Sequence, residues 1–181
     1  MNGVVGGGDG PGGSEAGRRA VAVVASTSAA AGRSIDRTGP LIRDWLGERG
    51  FETGAPVVVP DGEPVGAAVR AALEERAAVV IVTGGTGVSP SDLTPEVVDP
   101  LLDVRVPGVI EEIRRRGLAS SPLALITRGV AGFAGDTFVV TLPGSPGGVA
   151  DGLEVLDGVL EHLLHQRRAP GSRHDPGPVG C

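Results

Sequence analysis

The sequence contains no lysine, and all 16 of its basic residues are arginine. That absence excludes a P-loop, whose lysine must reach the phosphates, and Schiff-base catalysis, which needs a lysine amine. Cysteine occurs once, at Cys181, so neither a disulfide framework nor a cysteine zinc site can be built. Aromatic residues are 2% of the chain, too few for the stacking platforms that hold single-stranded nucleic acid. No apolar run approaches the length of a membrane span, and the first residues lack the charged start and apolar stretch of a secretory signal. The net charge of −6 gives no reason to expect nucleic acid as a partner, since phosphate-backbone binding leans on basic patches. The expectation is a cytoplasmic protein that uses neither membrane nor nucleic acid as a partner.

Glycine and proline, by contrast, are plentiful. With 31 and 15 residues they make up about a quarter of the 181 positions, while 40% of the chain is hydrophobic. Much of the glycine and proline lies at the ends. Residues 1–19 hold a GGGDGPGG run and residues 167–181 read RRAPGSRHDPGPVGC; both are too poor in apolar residues to pack and are expected to be disordered tails. The N-terminal stretch is balanced in charge and the C-terminal one has three arginines against one aspartate. The remaining domain, 20–166, therefore carries about −8. Bulk charge will not draw an anionic ligand to it.

This domain alternates strand and helix patterns. Continuous apolar runs at 20–25 (AVAVVA), 56–59 (PVVV), 78–82 (AVVIV) and 137–142 (TFVVTL) read as strands, the first of them covered on both faces. Helical spacing of apolar residues predicts helices over 37–50, 63–76, 95–102, 107–116 and a long closing helix over 146–166. Short runs at 123–126 and 130–133 fit either type. Repeated βα units imply a three-layer α/β fold, a mostly parallel sheet with helices on both faces. Such sheets bind ligands at the carboxyl ends of their strands.

Four strand ends carry polar or glycine-rich sequence. The third runs into Thr83-Gly84-Gly85-Thr86-Gly87, followed by Ser89, Asp92, Thr94, Pro95 and Glu96. Glycines at this density let the backbone approach a ligand and aim amides at it. Thr94 before Pro95 reads as an N-cap, which would turn a helix N-terminus toward the same crevice. The alternative is a plain strand–loop–helix turn with Asp92 supporting the cap. The second strand ends in Pro60-Asp61-Gly62, where Asp61 fits either a cap for the next helix or a partner of Asp92. Two carboxylates beside a phosphate site suggest magnesium, held by carboxylates and substrate oxygens together. The last strand ends in Pro143-Gly144-Ser145-Pro146, with Ser145 a cap for the final helix, and the first in Ser26-Thr27-Ser28. Competing motifs fail: Pro90 stands at the third glycine of a GxGxxG, and Pro143 replaces the first glycine of a GxSxG elbow. His162 and His165, three apart on the last helix, read as a solvated face.

The string TGGTG…Asp92-x-Thr-Pro-Glu, with Pro60-Asp61 upstream, Arg128-Gly-Val-Ala-Gly and then Leu-Pro-Gly-Ser-Pro downstream, resembles the Mog/MoaB family of molybdenum-cofactor biosynthesis, which includes a domain of gephyrin. The resemblance spans 20–166. It implies a homotrimer that binds molybdopterin and, in Mog-type members, transfers AMP from ATP to molybdopterin with Mg²⁺, releasing pyrophosphate. Other molybdenum-cofactor enzymes are implied as partners. It further implies catalytic, metal-binding roles for Asp61 and Asp92. Substrate contacts would come from Ser26, Thr83, Gly84, Gly85, Thr86, Gly87, Ser89, Thr94, Pro95, Glu96, Arg128, Gly144, Ser145 and Pro146. One departure stands out: many members have an aspartate after the first-strand serine, where this chain has Thr27. Within the family, the alternative is a MoaB-like, non-catalytic carrier or scaffold for molybdopterin.

Overall fold

A computed structural model describes residues 18–168 of the chain. The expected tails lie outside those residues except at their inner ends. Arg18, Arg19, Arg167 and Arg168 belong to the folded part, two residues beyond the expected domain on each side. Contacts that composition does not reveal hold them there. Arg18 stacks over Phe51 and forks onto Glu161, and Arg167 lies over the ring of Phe133. A long arginine can bury its stem while its head stays charged, so a basic residue at a domain edge need not be tail.

Among the described residues the sheet has seven strands. β1 (Arg19–Ala25) pairs in parallel with β2 (Glu52–Thr53) and β3 (Val57–Val59) along one edge and with β4 (Val79–Thr83) along the other. β4 pairs in parallel with β7 (Thr137–Leu142), and β6 (Ala131–Ala134) and β5 (Val104–Arg105) complete the sheet in antiparallel fashion. β2 and β3 share one edge position, separated by a gap that ends at Pro56, which has no N–H to give the ladder. The ambiguous run at 130–133 becomes β6, half of a hairpin whose turn holds Gly135 at φ +58°. The other ambiguous run becomes a 3-10 turn opened by Pro122.

Strand alternation divides the core between the two faces. Ala20, Ala22, Val79, Ile81, Phe138 and Val140 face α2 (Gly39–Glu48), α5 (Pro107–Gly117), α6 (Pro146–Asp157) and α7 (Leu160–Arg168). Val23, Ala25, Val80, Val82 and Val139 face α3 (Glu63–Glu74) and α4 (Thr94–Val98). This is the three-layer α/β arrangement that the βα alternation implied. The closing helix, however, is two helices. Gly158, a poor helix residue, ends α6, and the chain restarts at Leu160, so Leu164 is buried while Leu163 is only half-buried. A short α1 (Thr27–Ala30) also forms directly after β1, nucleated by Ser26, whose hydroxyl accepts from the Ala29 amide at 3.2 Å.

The register aligns the chemistry. Ala25 lies opposite Val59, Val24 opposite Thr83, and Thr83 opposite Leu142. The ends of β3, β1, β4 and β7 therefore stand side by side, and the loops that follow them share one rim of the sheet.

Candidate functional site

The loop after β4 lies at the middle of that rim. Its first glycines take conformations closed to other residues: Gly84 has φ +91° and Gly85 φ +61°. A Cβ on Gly84 would collide with the Ala25 carbonyl, so the loop turns against the end of β1 with no room between. On the other side the β7 loop closes in, where a Cβ on Gly144 would stand 3.1 Å from the Gly84 Cα. The Gly84 amide is used by the Leu142 carbonyl at 3.2 Å. Beyond it, the amides of Gly85, Thr86, Gly87 and Val88 donate to no acceptor among the described residues. Successive unpaired amides on a turn of this kind make a concave donor surface for an anion.

Asp61 and Asp92 flank this surface. Asp61 does not cap α3, whose N-cap is Gly62 with no side-chain bond. Its Oδ2 instead accepts from both the Thr27 amide, at 3.1 Å, and the Thr27 hydroxyl, at 2.7 Å. Oδ1 lies 2.9 Å from where a Gly85 Cβ would stand. Asp92 accepts the Ser89 amide through Oδ2 at 2.9 Å, and the same oxygen lies 2.7 Å from where a Gly87 Cβ would stand. Each carboxylate thus has one oxygen held by the protein, and each borders a glycine of the loop. The described residues contain no cluster of three or more His, Cys, Asp or Glu side chains able to cage a metal. Two separate carboxylates do suit magnesium, which keeps several waters and takes substrate phosphate oxygens as further ligands.

The remaining sequence-predicted residues fall into three groups. Ser26, Thr83, Gly84, Gly144 and Pro146 line a cleft of about 270 Å³ between the ends of β1, β4 and β7. Ser145 does not join them. It lines a larger, mainly apolar cavity of about 470 Å³ on the other side of its own loop, with Leu123, Ala124 and Ile113. Its hydroxyl caps α6 by accepting from the Gly148 amide at 3.1 Å, as expected of it. The third group serves the loop from within. Buried Thr83 donates to the Pro143 carbonyl at 2.8 Å, and buried Thr86 takes the Thr127 hydroxyl at 3.0 Å, so both hydroxyls are already engaged by protein.

Thr94 departs from its expected role. The N-cap of α4 is Leu93, Thr94 and Pro95 are the first two helical residues, and α4 has only five residues. So short a helix offers no developed dipole. The Thr94 hydroxyl is instead fully buried, without a hydrogen-bond partner among the described residues, and a Gly85 Cβ would collide with it. Arg128 reaches the loop from behind. Its amide donates to the Thr86 carbonyl at 2.8 Å, its Nε to the Gly87 carbonyl at 2.7 Å and its Nη2 to the Asp92 carbonyl at 2.5 Å, while Nη1 pairs with Glu96. That pairing holds the Glu96 carboxyl below its ordinary 4.5, mainly through the side-chain hydrogen bond.

Three contributors were not among the sequence-predicted site residues. Thr27, expected as part of a polar strand end and as a departure from the family, holds Asp61, and Asp36, expected to open the first helix, lines the cleft with Arg37. Asp36 also braces the start of α2, whose N-cap is Thr38, by accepting from the Thr38 and Gly39 amides at 2.9 Å. The polar segment Ser34-Ile35-Asp36-Arg37-Thr38 between the first strand and its helix was the available signal. His162 and His165 are exposed on α7, as expected of a solvated face.

Residues 21–162 match the family described as a probable molybdopterin binding domain. The chain belongs to the Mog/MoaB family of molybdenum-cofactor biosynthesis. It is 32% identical over 151 residues to the molybdopterin adenylyltransferase of Pyrococcus furiosus, covering 81% of this chain and 89% of that protein. It is 36% identical over 156 residues to the molybdenum cofactor biosynthesis bifunctional protein of Synechococcus elongatus. That match takes in 85% of this chain but 49% of the relative, so the chain spans about half the length of the bifunctional protein. Among solved structures, the molybdopterin biosynthesis Mog protein of Mycobacterium ulcerans superposes with a TM-score of 0.80 at 48% identity, over 83% of this chain and 99% of that one. No helix among the described residues is long and apolar enough to cross a membrane.

Proposed function

We propose that this Mog/MoaB-family chain binds molybdopterin and ATP at the strand-end rim and transfers AMP to molybdopterin, releasing pyrophosphate. The observation that carries the reading is the pair Asp61 and Asp92, one on each side of a glycine loop with four consecutive free amides. In this reaction an oxygen of the molybdopterin terminal phosphate attacks the α-phosphorus of ATP. The bond from that phosphorus to the β-bridging oxygen breaks, and pyrophosphate leaves with the electron pair. Both reactants are anions and the chain has no lysine, so catalysis rests on position and on local charge compensation.

The loop amides of Gly85 to Val88 bind phosphate oxygens without adding a side chain to the crevice. Asp61, turned by Thr27, and Asp92, turned by the Ser89 amide, present carboxylate oxygens at the two edges. Asp61 and Asp92 would hold magnesium there, which would supply compensation of the phosphate charge.

The test uses the full chain with ATP, Mg²⁺ and molybdopterin. Wild type should release pyrophosphate only when molybdopterin is present. Asp61→Asn and Asp92→Asn should each lower that release by about 10²-fold or more while molybdopterin still binds. Near wild-type adenylylation by both variants would remove the assignment. Molybdopterin binding by wild type without any turnover would instead make the protein a carrier.

A further inference from the structure

Arg128 is a cation in direct contact with the loop, and its expected place was on a substrate phosphate. Its hydrogen bonds describe another task. Three donors are spent on main-chain carbonyls, those of Thr86, Gly87 and Asp92, and the fourth contact is the ion pair with Glu96. The Glu96 carboxylate compensates the charge that a phosphate would need. It also stays ionised through neutral and mildly acidic pH, since Arg128 holds its carboxyl below the ordinary glutamate value.

The carbonyls matter because of peptide geometry. In a planar trans peptide, the C=O of one residue and the N–H of the next point in opposite directions. A carbonyl drawn back toward Arg128 turns the following amide away from it. Holding the Thr86 carbonyl therefore aims the Gly87 N–H, and holding the Gly87 carbonyl aims the Val88 N–H, two of the four free donors of the loop. The bond to the Asp92 carbonyl fixes the backbone from which the Asp92 carboxylate projects. The planar fork sets two of these peptides at once, those of Gly87 and Asp92, a geometry that a lysine ammonium cannot reproduce, while the Thr86 carbonyl is held by the Arg128 main-chain amide.

We propose that Arg128 is a positioning residue, which orients the glycine-loop amides and Asp92 from behind with Glu96 as its counter-ion and makes no contact with substrate phosphate. The kinetic part of this proposal rests on adenylyl transfer being the reaction; the structural part does not. Two measurements separate them. The first is 15N relaxation of the backbone amides in the full chain without any ligand. In wild type Val88 should be as rigid as the strands, with an order parameter of about 0.85; Arg128→Lys should lower it to below about 0.6, and Glu96→Gln should lower it by less. Unchanged order parameters at Val88 in both variants would overturn the proposal, whether or not the wild type turns over. Glu96 is exposed, so its variant keeps the test open if Arg128→Lys does not fold.

The second measurement is steady-state turnover of ATP and molybdopterin. Arg128→Lys should lower kcat by about 10- to 100-fold with the KM for ATP changed less than about threefold, and Glu96→Gln should lower kcat without lowering that KM. An arginine on the phosphate predicts the reverse. Its loss would raise the ATP KM with kcat kept, and removing Glu96 would free it and tighten ATP; either result overturns the proposal. If wild type shows no turnover while the order parameters follow the expectation, adenylyl transfer falls and the positioning role stands.

Discussion

An alanine series at three glycines separates backbone strain from collision and both from chemistry. Gly50, Gly84 and Gly85 all have positive φ, at +76°, +91° and +61°. At Gly50 a Cβ would meet nothing within 4 Å, so Gly50→Ala carries only the left-handed conformational cost, about 1–2 kcal/mol. At Gly84 the Cβ would strike the Ala25 carbonyl, which belongs to a strand paired on both sides and cannot turn away. Overpacking of about 1–3 kcal/mol adds there, giving about 2–5 kcal/mol in all. At Gly85 the obstacles are side-chain ends, the buried Thr94 hydroxyl, which must turn about χ1, and the Asp61 carboxylate, which can swing away. Stability should then fall further than in Gly50→Ala but less than in Gly84→Ala, and Asp61 must leave its place. Urea denaturation of the three variants, at constant m, measures the first effect, and pterin-dependent pyrophosphate release measures the second. The expected pattern is Gly84→Ala least stable, Gly85→Ala folded but lowered in turnover by about tenfold or more, and Gly50→Ala active. A Gly84→Ala variant no less stable than Gly50→Ala, or a fully active Gly85→Ala, would refute the reasoning.

Two further predictions concern the supports of the carboxylates. Thr27→Val removes the 2.7 Å hydroxyl donor to Asp61 and leaves the amide donor, so turnover should fall by several-fold and Thr27→Ser should restore it; a Val variant equal to wild type would deny Thr27 its role. Glu96 titrates below its ordinary 4.5, so the stabilisation it draws from Arg128 is present above that value and is lost as pH falls through the lower folded-state value. The stability difference between wild type and Glu96→Gln, followed by denaturation from pH 7 to pH 3, should therefore be constant near neutrality and shrink in acid; a difference that grows in acid would contradict this sign.

The strands β1, β3, β4 and β7 were legible because buried parallel strands read as continuous apolar runs, and their ends were legible as the sites of chemistry. The short strands β2 and β5 were not, since two residues carry no period. The break between α6 and α7 was visible as Gly158 but was overridden by the leucine spacing on either side.

Local sequence determined the alternation of strand and helix, the glycine loop, the two aspartates and the family to which they point. Only the tertiary structure decided what each polar side chain does. Thr27 and Asp61 are 34 positions apart, Arg128 and Asp92 are 36, and Arg128 and Gly87 are 41, so each pairing depends on strand order and not on any local pattern. Thr94 became a buried unpaired hydroxyl and Ser145 parted from Gly144 for the same reason. Periodicity records which face of an element is buried; hydrogen bonds depend on positions within a few tenths of an ångström, and those exist only once the strands have paired.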